Sequence, residues 1–342
     1  MATLQGHTST VWSVAVSAGG ELMASGGEDG RVRLWDTSTG QPLASLEGHS
    51  GTVWGVALSA DGELVASGGG DGTVRLWETS TGRPMATLRG HTGTVWGVGL
   101  SADGRVLASA GGDGAVRLWE TSTGRALAVL PGHTGGVLGV ALSGDGRLMA
   151  SGWEDGTVRL CEAASSEWRP LAVLHGHTSA VRSVVMSADG QLIISGGEDG
   201  TVRVWDTGTG RSMATLRGHT STVWGVAVST EGKLVASSGE DGTVRFWEPS
   251  SGRPLAILDG HTGVVRGVAL SADGNLVVSG GFDGTVRLWE AGSGTRLRTL
   301  RGERRYERMD ITGLTGITDA QHAALLALGA VEMHGPGSTS SG

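Results

Sequence analysis

The pair Gly-His recurs at 6–7, 48–49, 90–91, 132–133, 176–177, 218–219 and 260–261, at an interval of 42 residues everywhere but once, where it is 44. Such a period constrains the chain more than any local signal, because each copy must be one supersecondary unit that meets its neighbours through the same surfaces. A copy runs through VWGVALS (53–59), the turn SADG (59–62), ELVASGG (63–69), the turn GDG (70–72), TVRLWE (73–78), the turn TSTG (79–82) and PMATL (84–88). Period-two alternation between Gly and Asp-Gly turns predicts four antiparallel strands per copy, and no helical periodicity competes with it there. A single four-stranded unit cannot cover both of its apolar faces. Radial stacking of the units covers them and shortens the exposed edges.

A unit of this length, marked by Gly-His and then by Trp-Asp or Trp-Glu as at 35–36 and 77–78, resembles the WD-repeat β-propeller family over residues 1–301. The expected fold is all-β, a seven-bladed propeller of four-stranded antiparallel blades. Residues 302–342 form a tail with a short helix at about 319–328 and a disordered end. The 62 Gly in 342 residues fit a chain with very many tight turns.

Every copy also holds His, Ser and Asp at fixed offsets, the residue types of a nucleophilic relay. Seven copies around a ring leave no single cleft or oxyanion site, and each set has a Trp whose indole N–H can donate to the Ser hydroxyl. The family resemblance implies buried structural tetrads instead of catalytic residues. They are His7, Ser25, Asp29 and Trp35; His49, Ser67, Asp71 and Trp77; His91, Ser109, Asp113 and Trp119; His177, Ser195, Asp199 and Trp205; His219, Ser237, Asp241 and Trp247; and His261, Ser279, Asp283 and Trp289. Blade four keeps His133, Ser151 and Asp155 but carries Cys161 in place of the Trp. Its phrase LCEAASSEWRP (160–170) also lacks the turn Gly found at 40, 82, 124, 210, 252 and 294, and brings in Trp168. Without the indole donor and its volume, blade four is expected to be the weakest, unless Trp153 or Trp168 swings in to occupy the space. Drift and a purpose-built contact both fit the change.

Of the twelve Trp, six belong to tetrads, and Trp12, Trp54, Trp96 and Trp224 sit early in the first strand of their copies. The resemblance implies that this position, filled by Leu138, Arg182 and Arg266 in the other copies, faces the top surface around the central channel. The residue before the turn Asp faces it too: Glu28, Gly70, Gly112, Glu154, Glu198, Glu240 and Phe282. Trp and Arg dominate binding hot spots. Trp12, Trp54, Trp96, Trp153, Trp224, Arg182, Arg266 and Phe282 are therefore the expected partner-binding residues, with packing against neighbouring loops as the alternative.

A net charge of −8 without a basic track argues against nucleic acid or an anionic membrane as partner. The single Cys excludes an internal disulfide and gives a metal no ligand pair, so neither metal nor cofactor is expected. ASGGGDG (66–72) lacks the Lys and the following helix of a phosphate loop. No signal peptide or membrane-spanning run is apparent, which points to the cytoplasm.

In the tail, Thr318 and Gln321 form a capping-box pattern ahead of the helix. The tail resembles the C-terminal end of bacterial signalling NTPases that carry WD repeats. The function expected is a non-catalytic scaffold recognising a protein or peptide on the propeller's top face. The alternative is a ligand-sensing domain coupled to a nucleotide-switch NTPase in bacterial signalling. Ring closure is the last expectation. Eight segments compete for seven fourth-strand places: ATL (2–4) is expected to complete blade seven, with LRTL (297–300) displaced or extending the edge, and LRTL completing it through a short hairpin from 286–290 is the alternative.

Overall fold

Twenty-eight strands follow one another as seven sheets of four, each strand hydrogen-bonded to the next in sequence, so that β1–β4 form blade one and β25–β28 blade seven. Blade one shows the pattern: β1 (Val11–Val16), β2 (Leu22–Gly27), β3 (Arg31–Asp36) and β4 (Pro42–Glu47), all antiparallel. This computed structural model describes residues 7, 9–132, 135–164, 167–301, 311–312, 314 and 316–327. His133, the segment ATL and the chain end after Ala327 lie outside the described residues.

The first strands form the inner ring. Strand β1 packs against β5 (Val53–Leu58) on one side and β25 (Val265–Leu270) on the other. The circle runs on through β9 (Val95–Leu100), β13 (Val137–Leu142), β17 (Val181–Met186) and β21 (Val223–Val228). The apolar core lies between blades. Ala24, Val32, Leu34 and Leu46 of blade one meet Val53, Val56, Val65 and Trp77 of blade two. Each sheet thus buries one face against the blade before it and the other against the blade after it, which is why no blade could hold its core alone.

Below the core, backbone bonds link the turns that follow the inner strands. Ala18 N–H donates to Ala60 C=O, Ala60 to Ala102, Ala102 to Gly144, Gly144 to Ala188, Thr230 to Ala272 and Ala272 back to Ala18, all at 3.0–3.1 Å. The last of these bridges blade seven to blade one.

LRTL is the fourth strand of blade seven, which corrects the expectation that ATL takes that place. Strand β28 (Arg296–Arg301) pairs with β27 (Thr285–Glu290) along Thr285↔Arg301, Val286↔Leu300 and Arg287↔Thr299. A short hairpin closes at little entropic cost. The strand also gains contacts across the ring: Leu300 joins the core between blades seven and one, and the Arg298 guanidinium donates to Ser38 C=O. After the propeller, α1 spans Asp319–Ala327. Its capping box is formed, with Gln321 N–H donating to Thr318 Oγ1 (3.2 Å) and Thr318 N–H to Gln321 Oε1 (2.9 Å).

Candidate binding rim and the buried networks

In blade two, Trp77 Nε1–H donates to Ser67 Oγ (2.9 Å), Ser67 lies 2.9 Å from His49 Nε2, and His49 Nδ1 lies 3.1 Å from the Asp71 carboxylate. Since a carboxylate only accepts, Nδ1 carries the imidazole proton and Nε2 accepts from the Ser hydroxyl. Equivalent chains join Trp35, Ser25, His7 and Asp29; Trp119, Ser109, His91 and Asp113; Trp205, Ser195, His177 and Asp199; Trp247, Ser237, His219 and Asp241; and Trp289, Ser279, His261 and Asp283. The six Ser are fully buried.

Burial lowers the pKa of His7, His49, His91, His177 and His219, outweighing the pull of their carboxylate partners. Burial alone would raise Asp71, but bonds from Thr73, Ser50 N–H and His49 win and hold it at about 2. Asp113 is likewise held at about 2 against burial by bonds from His91 and Thr92 N–H and by the charges beside it.

The sequence reading missed a fifth member. Arg33 and Arg117 donate to Asp29 (2.7 Å) and Asp113 (2.8 Å), and Arg287 lies 3.4 Å from Asp283. The signal was present, an Arg two residues before the tetrad Trp in every copy and before Cys161 in blade four.

Blade four is built by exchange. Position 153 is Gly in the other blades because a Cβ there would sit 2.2–3.0 Å from the His ring, as at Gly27, Gly69 and Gly281. Here it is Trp153, only 3% exposed, whose Nε1–H donates to Ser151 Oγ at 2.9 Å. The ring packs beside Cys161 in one core cluster, and the Arg159 guanidinium stacks on it at 4.0 Å. Two sequence expectations are corrected. Trp153 is not a partner-binding residue, because its ring is consumed by the core, and blade four does not lack an indole donor. Trp168 packs at the edge of the same cluster, on a lengthened hairpin of β15 (Val158–Ala164) and β16 (Glu167–Leu174). Burial pushes the Cys161 thiol up to about 11, against a small opposing effect of Arg159, so it stays a packing group.

The rim owes its geometry to a repeated β-bulge. Val11 faces Gly27 and Ser13 faces Gly26, which leaves Trp12 as the extra residue. Trp54, Trp96, Leu138, Arg182, Trp224 and Arg266 are extra residues at the same step of their inner strands. A bulge re-aims its side chain out of the ladder. These seven converge on the channel mouth and line a cavity of about 270 Å³. Trp12 and Trp54 lie 4.1 Å apart by ring centroids, Trp54 and Trp96 4.6 Å edge-to-face, and Phe282, 43% exposed, meets Trp12 edge-on at 5.4 Å. Arg266 stacks on Trp224 at 3.3 Å and on Trp12 at 4.4 Å, while Arg182 is ion-paired with Glu198.

Seven matches to the WD domain, G-beta repeat model fall at residues 1–36, 40–78, 82–120, 124–162, 168–206, 210–248 and 252–290. The chain belongs to the WD40 repeat family. WD40 propellers are typically protein-interaction scaffolds. A stretch of 41 residues is 58% identical to the small ribosomal subunit protein RACK1z of Arabidopsis thaliana and to RACK1 of Brassica napus, covering 12% of this chain and 12% of each. A stretch of 38 residues is 53% identical to the vegetative incompatibility protein HET-E-1 of Podospora anserina, 11% of this chain and 3% of that one. These likenesses extend over about one WD40 repeat. Among the described residues, no His, Cys, Asp and Glu cluster could hold a metal ion, and no helix is long and apolar enough to cross a membrane.

Proposed function

We propose that this chain is a non-catalytic interaction scaffold that docks a protein or peptide on the rim of its channel. One observation carries the reading: seven non-ladder side chains, four of them Trp and two Arg, are aimed together at one mouth. The tetrads support the non-catalytic part, since a Ser hydroxyl fully buried behind an indole and an imidazole is out of reach of a substrate. Their work is to tie strands within a blade. The rim residues other than the buried Leu138 are half-buried and belong to no interblade cluster, so they are free to supply contact area to a partner.

The test is selection of peptides from a random library by the intact chain. Trp54→Ala and Trp96→Ala should leave the melting temperature nearly unchanged and abolish capture. If either substitution unfolds the protein while folded survivors bind normally, these Trp are core residues and the docking reading falls.

A further inference from the structure

Arg266 makes no ion pair among the described residues, and the Glu240 charge acts on it only from a distance. Its guanidinium carbon lies 3.3 Å from the Trp224 ring, 4.4 Å from Trp12 and 5.0 Å from Phe282. No hydrogen bond or ion pair engages it among the described residues, and its Nε is buried without a partner. The indole Nε1 atoms of Trp12 and Trp224 are buried and unpartnered as well. Three unpartnered donors and one positive charge thus belong to residues that line the rim cavity together. Arg182 differs, its Nε donating to Glu198 at 2.8 Å. Of the acidic groups nearby, Glu240 accepts from Ser221 Oγ (2.6 Å) and acts on Arg266 only through its charge, and Glu154 accepts from Gly136 N–H (2.8 Å).

We propose that the channel mouth at Arg266 takes a carboxylate of the docked peptide. This rests on the docking reading and specifies the partner's chemistry. A carboxylate is acceptor-only, matches the guanidinium fork and can take an indole N–H on a remaining lone pair. Trp12, Trp224 and Arg266 are each half-buried, and binding requires an indole to turn its buried N–H toward the ligand. A cationic side chain is the wrong occupant there: the Trp224, Trp12 and Phe282 rings already hold Arg266, and Arg182 also lies over Trp224. Burial and then the Arg182 charge lower the Arg266 pKa to about 10, with Glu240 offsetting only part.

The test uses the whole chain labelled with 5-fluorotryptophan, with N-acetyl-glutamate amide as probe and N-acetyl-glutamine amide as its neutral match. The acid should shift the Trp12 and Trp224 fluorine resonances saturably. The glutamine form should not, and Arg266→Gln, which leaves the tetrads untouched, should abolish the shift. Equal shifts by both probes, or none, overturn the carboxylate site. Peptides from the library then separate the two readings. If captured peptides lose about tenfold in affinity on Glu→Gln or Asp→Asn exchange, and Arg266→Gln removes that difference, the carboxylate is a side chain's. If only C-terminal amidation has this effect, it is the peptide's terminus. Peptides that bind through Trp54 but ignore every carboxylate change leave docking intact and overturn this proposal. A probe that binds when no peptide does leaves the site standing and overturns docking.

Discussion

Trp153 donates its indole N–H to Ser151 Oγ at 2.9 Å from two residues away on the same strand, whereas Trp77 reaches Ser67 at 2.9 Å from the neighbouring strand. The same hydroxyl is served from a different backbone position. Gly-to-Trp at 153 and Trp-to-Cys at 161 are therefore two halves of one volume-conserving exchange, the kind of change a core tolerates best.

That exchange makes Cys161→Trp destabilising, because the space is already filled. Overpacking of this kind costs about 1–3 kcal/mol. Trp153→Gly alone should cost about 3–5 kcal/mol by leaving a cavity. The double variant should recover most of the loss, and urea unfolding of all four proteins reads the coupling directly. Additive losses would show that the two positions do not share one space.

Acid should destabilise the propeller in two stages. The folded pKa values of five His lie below the unfolded value of 6.5. Above that pH both states are neutral and the groups contribute nothing. As pH falls through it, the unfolded chain takes up protons that the folded chain refuses, so stability falls. Asp71 and Asp113, held at about 2, add a term that is complete above the ordinary 3.8 and disappears as pH falls from there through 2. Both stages have the same sign. Denaturation midpoints between pH 7.5 and 3 should decline from near 6.5, and a rise on acidification would contradict the neutral-imidazole assignment.

Asp71→Ala should lower stability by about 1–3 kcal/mol, since His49 Nδ1–H and Thr73 Oγ1 lose their acceptor. Peptide capture by the folded variant should not change. A variant of normal stability without capture would move the tetrad from scaffold to site.

Leu300→Ala should cost about 2–5 kcal/mol, because Leu300 is 9% exposed in the core between blades seven and one. Hydrogen exchange in β1 and β25 should rise with it. A normal melting temperature would show that β28 is dispensable for closing the ring.

The repeat period and the alternation made the blades legible, because an apolar face that recurs every 42 residues can be buried only against its own copies. The bulge was harder to see. Val53 and Val56 both point into the core, three residues apart where a regular strand would place them two apart. The same Val-x-x-Val spacing stands at 11–14, 137–140, 181–184, 223–226 and 265–268. One extra residue leaves the apolar count unchanged, so it is read as ordinary alternation. The fate of Trp153 was hidden for another reason. Which of two nearby Trp fills a hole depends on the route of the indole through space, and Ser151 is within reach of both positions. LRTL ranked below ATL as the closing strand because its further gain lies in Leu300 and Arg298 meeting blade one, contacts between the two ends of the propeller that no local pattern contains.

Every blade takes its four strands from one continuous stretch, so no strand of the described ring crosses from blade seven into blade one. Among the described residues that junction is a seam, held by the cluster around Trp35 and Leu300 and by the bond from Ala272 to Ala18. The ring can be pictured as a split washer, closed but not welded. Arg266 belongs to blade seven and lies over Trp12 of blade one, so the candidate carboxylate site straddles the split. A ligand seated there would staple the two lips together, and its occupancy would be felt as resistance to the washer springing open.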